Sequence, residues 1–418
     1  MTHRYRIINS TVLSCMLTLK TSLTLLLCGV MLVVGPTSCK NGNNNDPVNP
    51  GPTRTLVKST LVGEYSQADL RSRFTGVSSL FQVFIRNDIR VYRIEYNTTN
   101  SDGKPIRASG ALLVPVGSGV QNRALPLLSL QHGTIQNDND APSNYQSGSE
   151  AYTFGSVFAS QGYIISAPDY IGYGASKDLP HPYEHNKSLA SASLDMLRAS
   201  REFIADNNLN WDKRLFVAGY SEGGYATMAL QKKIEEETNG EFNLVASSCG
   251  AGAYDKSAFM REIINNRTSG VGFINRLYVW VLTTYDRIYG LNRPATYYFK
   301  PPYAAQVTAN NANTNINVSL NTTFTDSFKA AVNNNTDQAF LKAVQENDIH
   351  DWKPRTPTRL YHGDADDTVF YLNSVNAYEA MQKRGATNVE LKTLRGANHA
   401  TGIIGFITGT YEFFGGVQ

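Results

Sequence analysis

A serine hydroxyl becomes a useful nucleophile at neutral pH only when a base takes its proton and a carboxylate orients that base. The stretch Gly219-Tyr220-Ser221-Glu222-Gly223 offers such a serine. It follows the continuous apolar text Leu215-Phe216-Val217-Ala218 and precedes helix-periodic text over 226–237. Strand, sharp turn and helix form the context in which a Gly-x-Ser-x-Gly motif carries weight. The turn places Ser221 at positive φ and leaves room only for minimal side chains two residues to either side, which explains Gly219 and Gly223. Of seven histidines, His399 stands directly after the last strand-like run, in Gly396-Ala397-Asn398-His399-Ala400, and is the candidate base. The carboxylate comes from His362-Gly363-Asp364-Ala365-Asp366-Asp367. A group placed well past its strand end can curl back to His399, which favours Asp366 over Asp364. Asp367 then points away, and one of the three remains to cap the following helix. A tetrahedral oxyanion needs two N–H donors. Glu222, immediately after the nucleophile, supplies one. Thr134 in Gln131-His132-Gly133-Thr134 is the candidate for the other, since Gly133 lets the backbone approach closely. The chemistry of such a set is acyl transfer.

Other candidates have plainer readings. His132 precedes the nucleophile in the chain and is expected to fix its loop. Asp169 in Pro168-Asp169-Tyr170 is expected to hold a turn through side-chain-to-backbone bonds. His181 and His185 could form a metal pair, but nothing nearby completes a ligand set, so a loop is expected there. No metal and no organic cofactor is expected.

These residues need a scaffold. Alternating text over 91–96 and 108–116 predicts an antiparallel opening pair, joined by Asn100-Ser101-Asp102-Gly103. Short continuous apolar runs follow at 125–130, 163–167, 215–218, 244–247, 359–361 and 389–394. Helix-periodic segments at 151–161, 189–205, 226–237 and 374–384 lie between them. Buried strands alternating with helices predict an α/β fold, a mostly parallel central sheet flanked by helices. The rhythm breaks over 255–352, where apolar-aromatic helical text (271–289) gives way to Asn-rich text. A structureless loop of that length is improbable inside a compact domain, so this region is expected to be a helical lid or cap insertion. The Asn/Thr-rich patch 310–323 is expected to be a surface loop. The catalytic domain is then 56–254 together with 353–418.

Composition narrows the class. The chain has 418 residues, 41% hydrophobic and 17% charged, with a net charge of +3. A sizeable core can be buried, and no basic stripe with interleaved aromatics appears, so nucleic acid is excluded as a partner. Of four cysteines, Cys249 stands alone beyond the N-terminal region and is expected to be a small buried hydrophobe. Residues 1–39 predict a signal peptide. A short apolar run over 21–34 follows Lys20, with Met16 an alternative start. Small residues before Cys39, then a flexible polar linker over 40–55, resemble a bacterial lipoprotein processing site. Pro36 departs from the branched aliphatic residue usual there. Lipidation at Cys39 would tether the chain to a membrane of the bacterial cell envelope; the alternative is a plainly secreted protein.

Taken together, Ala167-Pro168-Asp169-Tyr170, His181-Pro182-Tyr183, Asp195-Met196-Leu197-Arg198-Ala199, the 219–224 stretch, His362-Gly363 with Asp366, and Asn398-His399 resemble the secretory-lipase branch of the α/β-hydrolases. The resemblance runs from about residue 91 to the C-terminus. It implies an α/β-hydrolase fold, with the triad order serine, acid, histidine. It also implies hydrolysis of carboxylic esters without a cofactor, and a lid formed by 255–352. The Asn-rich part of that lid has no recognised counterpart, and no paired cysteines staple the chain. Two other readings stay open. A serine peptidase of the same fold would turn over aminoacyl anilides. A glycan- or lipid-binding lipoprotein on an inactive scaffold would leave Ser221 unreactive.

Overall fold

The computed structural model describes residues 54–417. The expectations for the signal peptide, for Cys39 and for the linker up to residue 53 lie outside these residues.

Nine strands make one sheet: β1 (Leu56–Tyr65), β2 (Asp88–Thr99), β3 (Pro105–Val116), β4 (Leu125–Gln131), β5 (Ile164–Pro168), β6 (Trp211–Tyr220), β7 (Asn243–Gly250), β8 (Thr358–Gly363) and β9 (Val389–Leu394). Their spatial order is β1-β2-β3-β5-β4-β6-β7-β8-β9. The opening strands pair antiparallel up to the β3–β5 junction. From β5 onward every pair is parallel. Both faces are covered, and the strand text shows why. On β6, Phe216 and Ala218 enter one core, while Leu215 and Val217 enter the other. Period-2 alternation between two buried faces reads as a continuous apolar run.

Helices α1 (Gln67–Ser72), α2 (Ser156–Ser160), α3 (Asn186–Asp206) and α4 (Glu222–Glu237) precede the insertion. Within it lie α5 (Lys256–Asn265), α6 (Gly272–Ile288), α7 (Ala295–Tyr298), α8 (Tyr303–Asn310), α9 (Asp326–Asn333) and α10 (Gln338–Gln345). After it come α11 (Leu372–Lys383) and α12 (Gly402–Gly416). Helices α1, α2 and α12 contribute to the core on one face of the sheet, and α3, α4 and α11 to those on the other. The insertion has its own apolar core, built around Phe299, Phe324, Phe328 and Phe340.

Three features differ from the sequence reading or add to it. Strand β1 has no buried alternation because it is an edge strand, exposed along most of its length. Helix α12 hides behind its glycines, which depress helix propensity. Gly402, Gly405 and Gly409 are there for contact: a Cβ on Gly409 would lie 2.4 Å from the Tyr361 ring. The Asn-rich stretch lies at the surface as expected, with Asn310, Asn311, Asn313, Asn315 and Asn317 exposed, but it is anchored from within. Ile316 and Leu320 enter the insertion's core, Thr314 and Thr323 are buried, and Asn275 donates its side-chain amide to the carbonyls of Ile316 (2.6 Å) and Val318 (2.8 Å). Asn275, from α6, thus satisfies the buried backbone of this stretch, a role that composition does not reveal.

The sheet also dictates where chemistry can occur. Strand order reverses around β4, which lies between β5 and β6. Loops leaving the C-terminal ends of β4 and β6 therefore diverge and open a crevice, the usual ligand position in open α/β sheets.

Candidate active site

Ser221 stands between β6 and α4 with φ 61° and ψ −125°. This backbone is strained for a side chain larger than glycine's. Its N–H donates to the carbonyl of Gly250 at 2.8 Å, which pins the turn to β7. A Cβ on Gly219 would come within 2.4 Å of the Gly223 carbonyl oxygen, and one on Gly223 within 2.2 Å of the Gln131 carbonyl oxygen. Both positions exclude any side chain, so strand, turn and helix pack at backbone distance.

His399 follows β9 on a turn braced from three sides. The Asn398 side chain accepts from the N–H groups of Ala400 (3.1 Å) and Thr401 (2.9 Å). Asp364 accepts from the N–H of Gly396 at 2.6 Å, and the Tyr220 hydroxyl donates to the carbonyl of His399 at 2.9 Å. The imidazole then reaches both neighbours: Nε2 lies 2.9 Å from Ser221 Oγ, and Nδ1 lies 2.7 Å from Asp366 Oδ2.

Asp366 is buried and heavily served. Its Oδ1 accepts from the N–H groups of Thr368 and Val369, each at 2.9 Å. The fully buried His362 approaches Oδ2 at 3.3 Å with its Nε2, and its Nδ1 is held by Ser374 at 2.7 Å. Burial opposes charge on this carboxyl, but the hydrogen bonds from His362 and His399 hold it far below the usual carboxylate range. Asp367 is exposed, as is Asp364. The expected helix cap is absent: Tyr371, the N-cap of α11, makes no side-chain cap bond, and Asp364 braces the His399 turn instead.

The loop after β4 meets the Ser221 turn because Gln131 pairs with Gly219 across β4 and β6. His132 is buried, stacks on Tyr170 at 4.1 Å, and bonds the carbonyls of Gly133 (2.7 Å) and Asp169 (3.2 Å). Asp169 accepts from the N–H of Ser143 at 2.7 Å and from the hydroxyl of Ser109 at 2.5 Å. The N–H of Gly133 donates to Glu150 Oε1 at 3.0 Å, and the hydroxyls of Thr134 and Tyr183 are 2.9 Å apart. Among the described residues no group accepts from the N–H of Thr134. The N–H of Glu222, first in α4, has no acceptor within its helix, and the positive end of the helix dipole lies there.

Several buried charged groups escaped the sequence reading. The Glu222 carboxylate, inside the motif, bonds His181 Nε2 at 2.8 Å, and His181 Nδ1 bonds the carbonyl of Ile171 at 2.6 Å. His185 pairs with Ser188 instead, so the two histidines share no centre. Lys256 and Glu184 form a buried ion pair, with the ammonium 4.1 Å from the Tyr225 ring centroid. Asp255, Asp348 and His350 offer atoms within 4.8 Å of one another. Their carboxylate oxygens already accept from Ala258, Asn376 and Ser257. Cys249 is buried, which pushes its thiol up to about 12.

Glu150 has a measurable consequence. Burial pushes its carboxyl up, the Gly133 N–H opposes this, and the Glu222 carboxylate adds to it, giving about 7 against a usual 4.5. Between those values the folded state binds the extra proton, so stability falls as pH rises through that window and is level above it. The expected loss is on the order of 2–3 kcal/mol. Urea unfolding at pH 5 and pH 8 should show this slope in the wild type and its disappearance in Glu150→Gln.

A narrow, mostly apolar pocket opens beside Ser221. Its walls come largely from the insertion and include Met260, Leu277, Val281, Phe299 and Phe324. Tyr183, Glu184 and Lys256 also line it.

Solved structures share this architecture. A protein from Legionella pneumophila superposes with a TM-score of 0.77 at 22% identity, over 87% of this chain and 98% of that one. The rice cell wall degrading esterase LipA from Xanthomonas oryzae gives 0.71 at 26% identity, over 86% and 96%. The closed state of Candida antarctica lipase A gives 0.61 at 14% identity, over 85% and 82%. No curated protein matches the chain in sequence. The profile of the secretory lipase family matches residues 146–406, more than half of the chain and all but one of the site elements just described. An α/β-hydrolase sheet and a family match of that extent place the chain in the secretory lipase family, as a carboxylic ester hydrolase.

Proposed function

We propose that the protein hydrolyses esters of aliphatic acids through an acyl-enzyme on Ser221, with His399 as base and Asp366 as its orienting acid. The observation that carries this reading is the continuous chain of two short hydrogen bonds from Ser221 Oγ through His399 to Asp366, beside a mostly apolar pocket. Ser221 attacks the ester carbonyl as its proton passes to His399 Nε2. The negative oxygen is received by the N–H groups of Glu222 and Thr134. His399 then gives the proton to the departing alcohol. Water repeats the sequence on the acyl-enzyme and releases the acid.

The pocket supports the choice of acyl group. Its walls are mostly aliphatic and aromatic, so each methylene of a bound chain leaves water, which is worth about 0.8 kcal/mol or roughly fourfold in kcat/KM. Nitrophenyl esters from acetyl to dodecanoyl should show that rise per methylene until the chain fills the pocket. A profile flat beyond acetyl, or turnover confined to feruloyl esters or aminoacyl anilides, would contradict this assignment.

Export follows from the leader text, and attachment through a lipidated Cys39 is part of the same proposal. Metabolic labelling with palmitate should mark the wild type and not Cys39→Ser. Equal labelling of both would remove the anchor.

A further inference from the structure

Glu150, a partly buried carboxyl that the reaction leaves unused, stands against the loop that carries Thr134. Its Oε1 accepts the N–H of Gly133 at 3.0 Å, one residue before Thr134. A Cβ built on Gly133 would lie 3.1 Å from that oxygen and 3.2 Å from the carbonyl oxygen of Tyr220, with the Ser221 side chain at 3.8 Å. The loop is therefore gripped between a carboxyl on one side and the nucleophile turn on the other.

The backbone around Glu150 is unusual too. It immediately precedes a π-turn, Ala151–Gly155, closed by the N–H of Gly155 donating to the Glu150 carbonyl at 2.9 Å. Such turns are rare, shift the register of the side chains before them, and gather at functional sites. A neutral side chain would satisfy one backbone N–H at lower cost than a partly buried carboxyl raised to about 7. Groups held in such disfavoured states cluster where they serve a reaction. The neighbouring Glu222 carboxylate is engaged by His181, so it does not compete for Gly133.

We propose that Glu150 is a positioning residue for transition-state stabilisation: it clamps the 132–134 loop against the Ser221 turn and so sets the place of the Thr134 N–H. This rests on Thr134 and Glu222 being the oxyanion donors. The clamp acts through hydrogen-bond geometry, and an amide oxygen can replace the carboxyl oxygen.

The test compares Glu150→Ala, Glu150→Gln and wild type on one aliphatic nitrophenyl ester. In parallel, it measures inhibition by an aliphatic trifluoromethyl ketone, whose adduct on serine carries the same tetrahedral oxyanion. Outright loss of one donor costs about 10²- to 10³-fold, so a displaced donor should cost about 10- to 100-fold in kcat. Glu150→Ala is expected to lose that much with KM within about threefold, and its inhibition constant should rise by the same factor. Glu150→Gln should stay within about threefold of wild type in both. The inhibition constant is a property of each folded molecule, so partial unfolding lowers activity without moving it. Should Glu150→Ala fail to accumulate, Glu150→Asp withdraws the oxygen by one methylene and carries the same expectation. An inhibition constant within twofold of wild type in the alanine or aspartate variant would overturn the proposal, as would a glutamine variant as impaired as alanine. Ser221→Ala, run alongside, separates the two layers. Its retained turnover would sink the oxyanion reading itself, whatever Glu150 does.

Discussion

Ser221→Ala should lower kcat for a nitrophenyl ester by about five to six orders of magnitude, with the protein still folded. The size of the effect follows from the role. Without Oγ no acyl-enzyme forms, and the remaining N–H donors and binding surface accelerate only direct attack by water, a residual of about 10³- to 10⁴-fold over solution. Alanine keeps the Cβ that the turn already accommodates at φ 61°, so the strained backbone meets no new contact. The Gly250 carbonyl still receives the N–H of residue 221. Tm should therefore stay close to the wild-type value while activity disappears. Activity within tenfold of wild type would show that another group attacks the ester.

Asp366→Asn carries the second large effect, a fall of about 10⁴-fold in kcat. The surrounding bonds dictate how asparagine must sit. Oδ1 accepts two backbone N–H groups, from Thr368 and Val369, so the amide oxygen takes that side. The amide nitrogen then faces His399 Nδ1, at the place of an oxygen now 2.7 Å away. An N–H there forces Nδ1 to be the acceptor and puts the imidazole proton on Nε2, facing Ser221. The base then cannot take the serine's proton. His362, which approaches the same oxygen at 3.3 Å, keeps the Val369 carbonyl at 2.7 Å as the acceptor for its Nε2. Binding should suffer little, so KM is the control: a change confined to KM would mean that Asp366 shapes the pocket and leaves the base alone.

Much of this site is legible in sequence because its logic is local. A serine between a buried strand and a helix, with glycines two residues away, describes one turn, and the structure contains that turn. His399 and Asp366 are legible because parallel strands deliver their following loops to one edge of the sheet; β8 and β9 are neighbours, so the residues after them meet. What stays hidden is long-range and chemical. Nothing at Glu150 announces a partner at Gly133, since the two are joined by a π-turn and by the packing of the β4 loop. Glu222 lies inside the motif, yet its carboxylate belongs to His181, 41 residues upstream. The insertion shows the same limit. Its aromatic text announces a helical unit, whereas nothing singles out Asn275 of α6, which closes buried backbone at Ile316 and Val318. Polar composition reports affinity for hydrogen bonds and leaves open whether water or protein supplies them.

Ser221 is proposed as the single activated nucleophile. The most direct measurement of this is peptide-level mass spectrometry of the purified protein after reaction with a fluorophosphonate ester. One phosphonyl group on the peptide containing Ser221 is expected, formed in step with loss of esterase activity, absent in Ser221→Ala and slowed by at least about 10³-fold in His399→Ala. An unmodified Ser221 in inactivated enzyme, or a label on another residue that tracks the loss of activity, would contradict it.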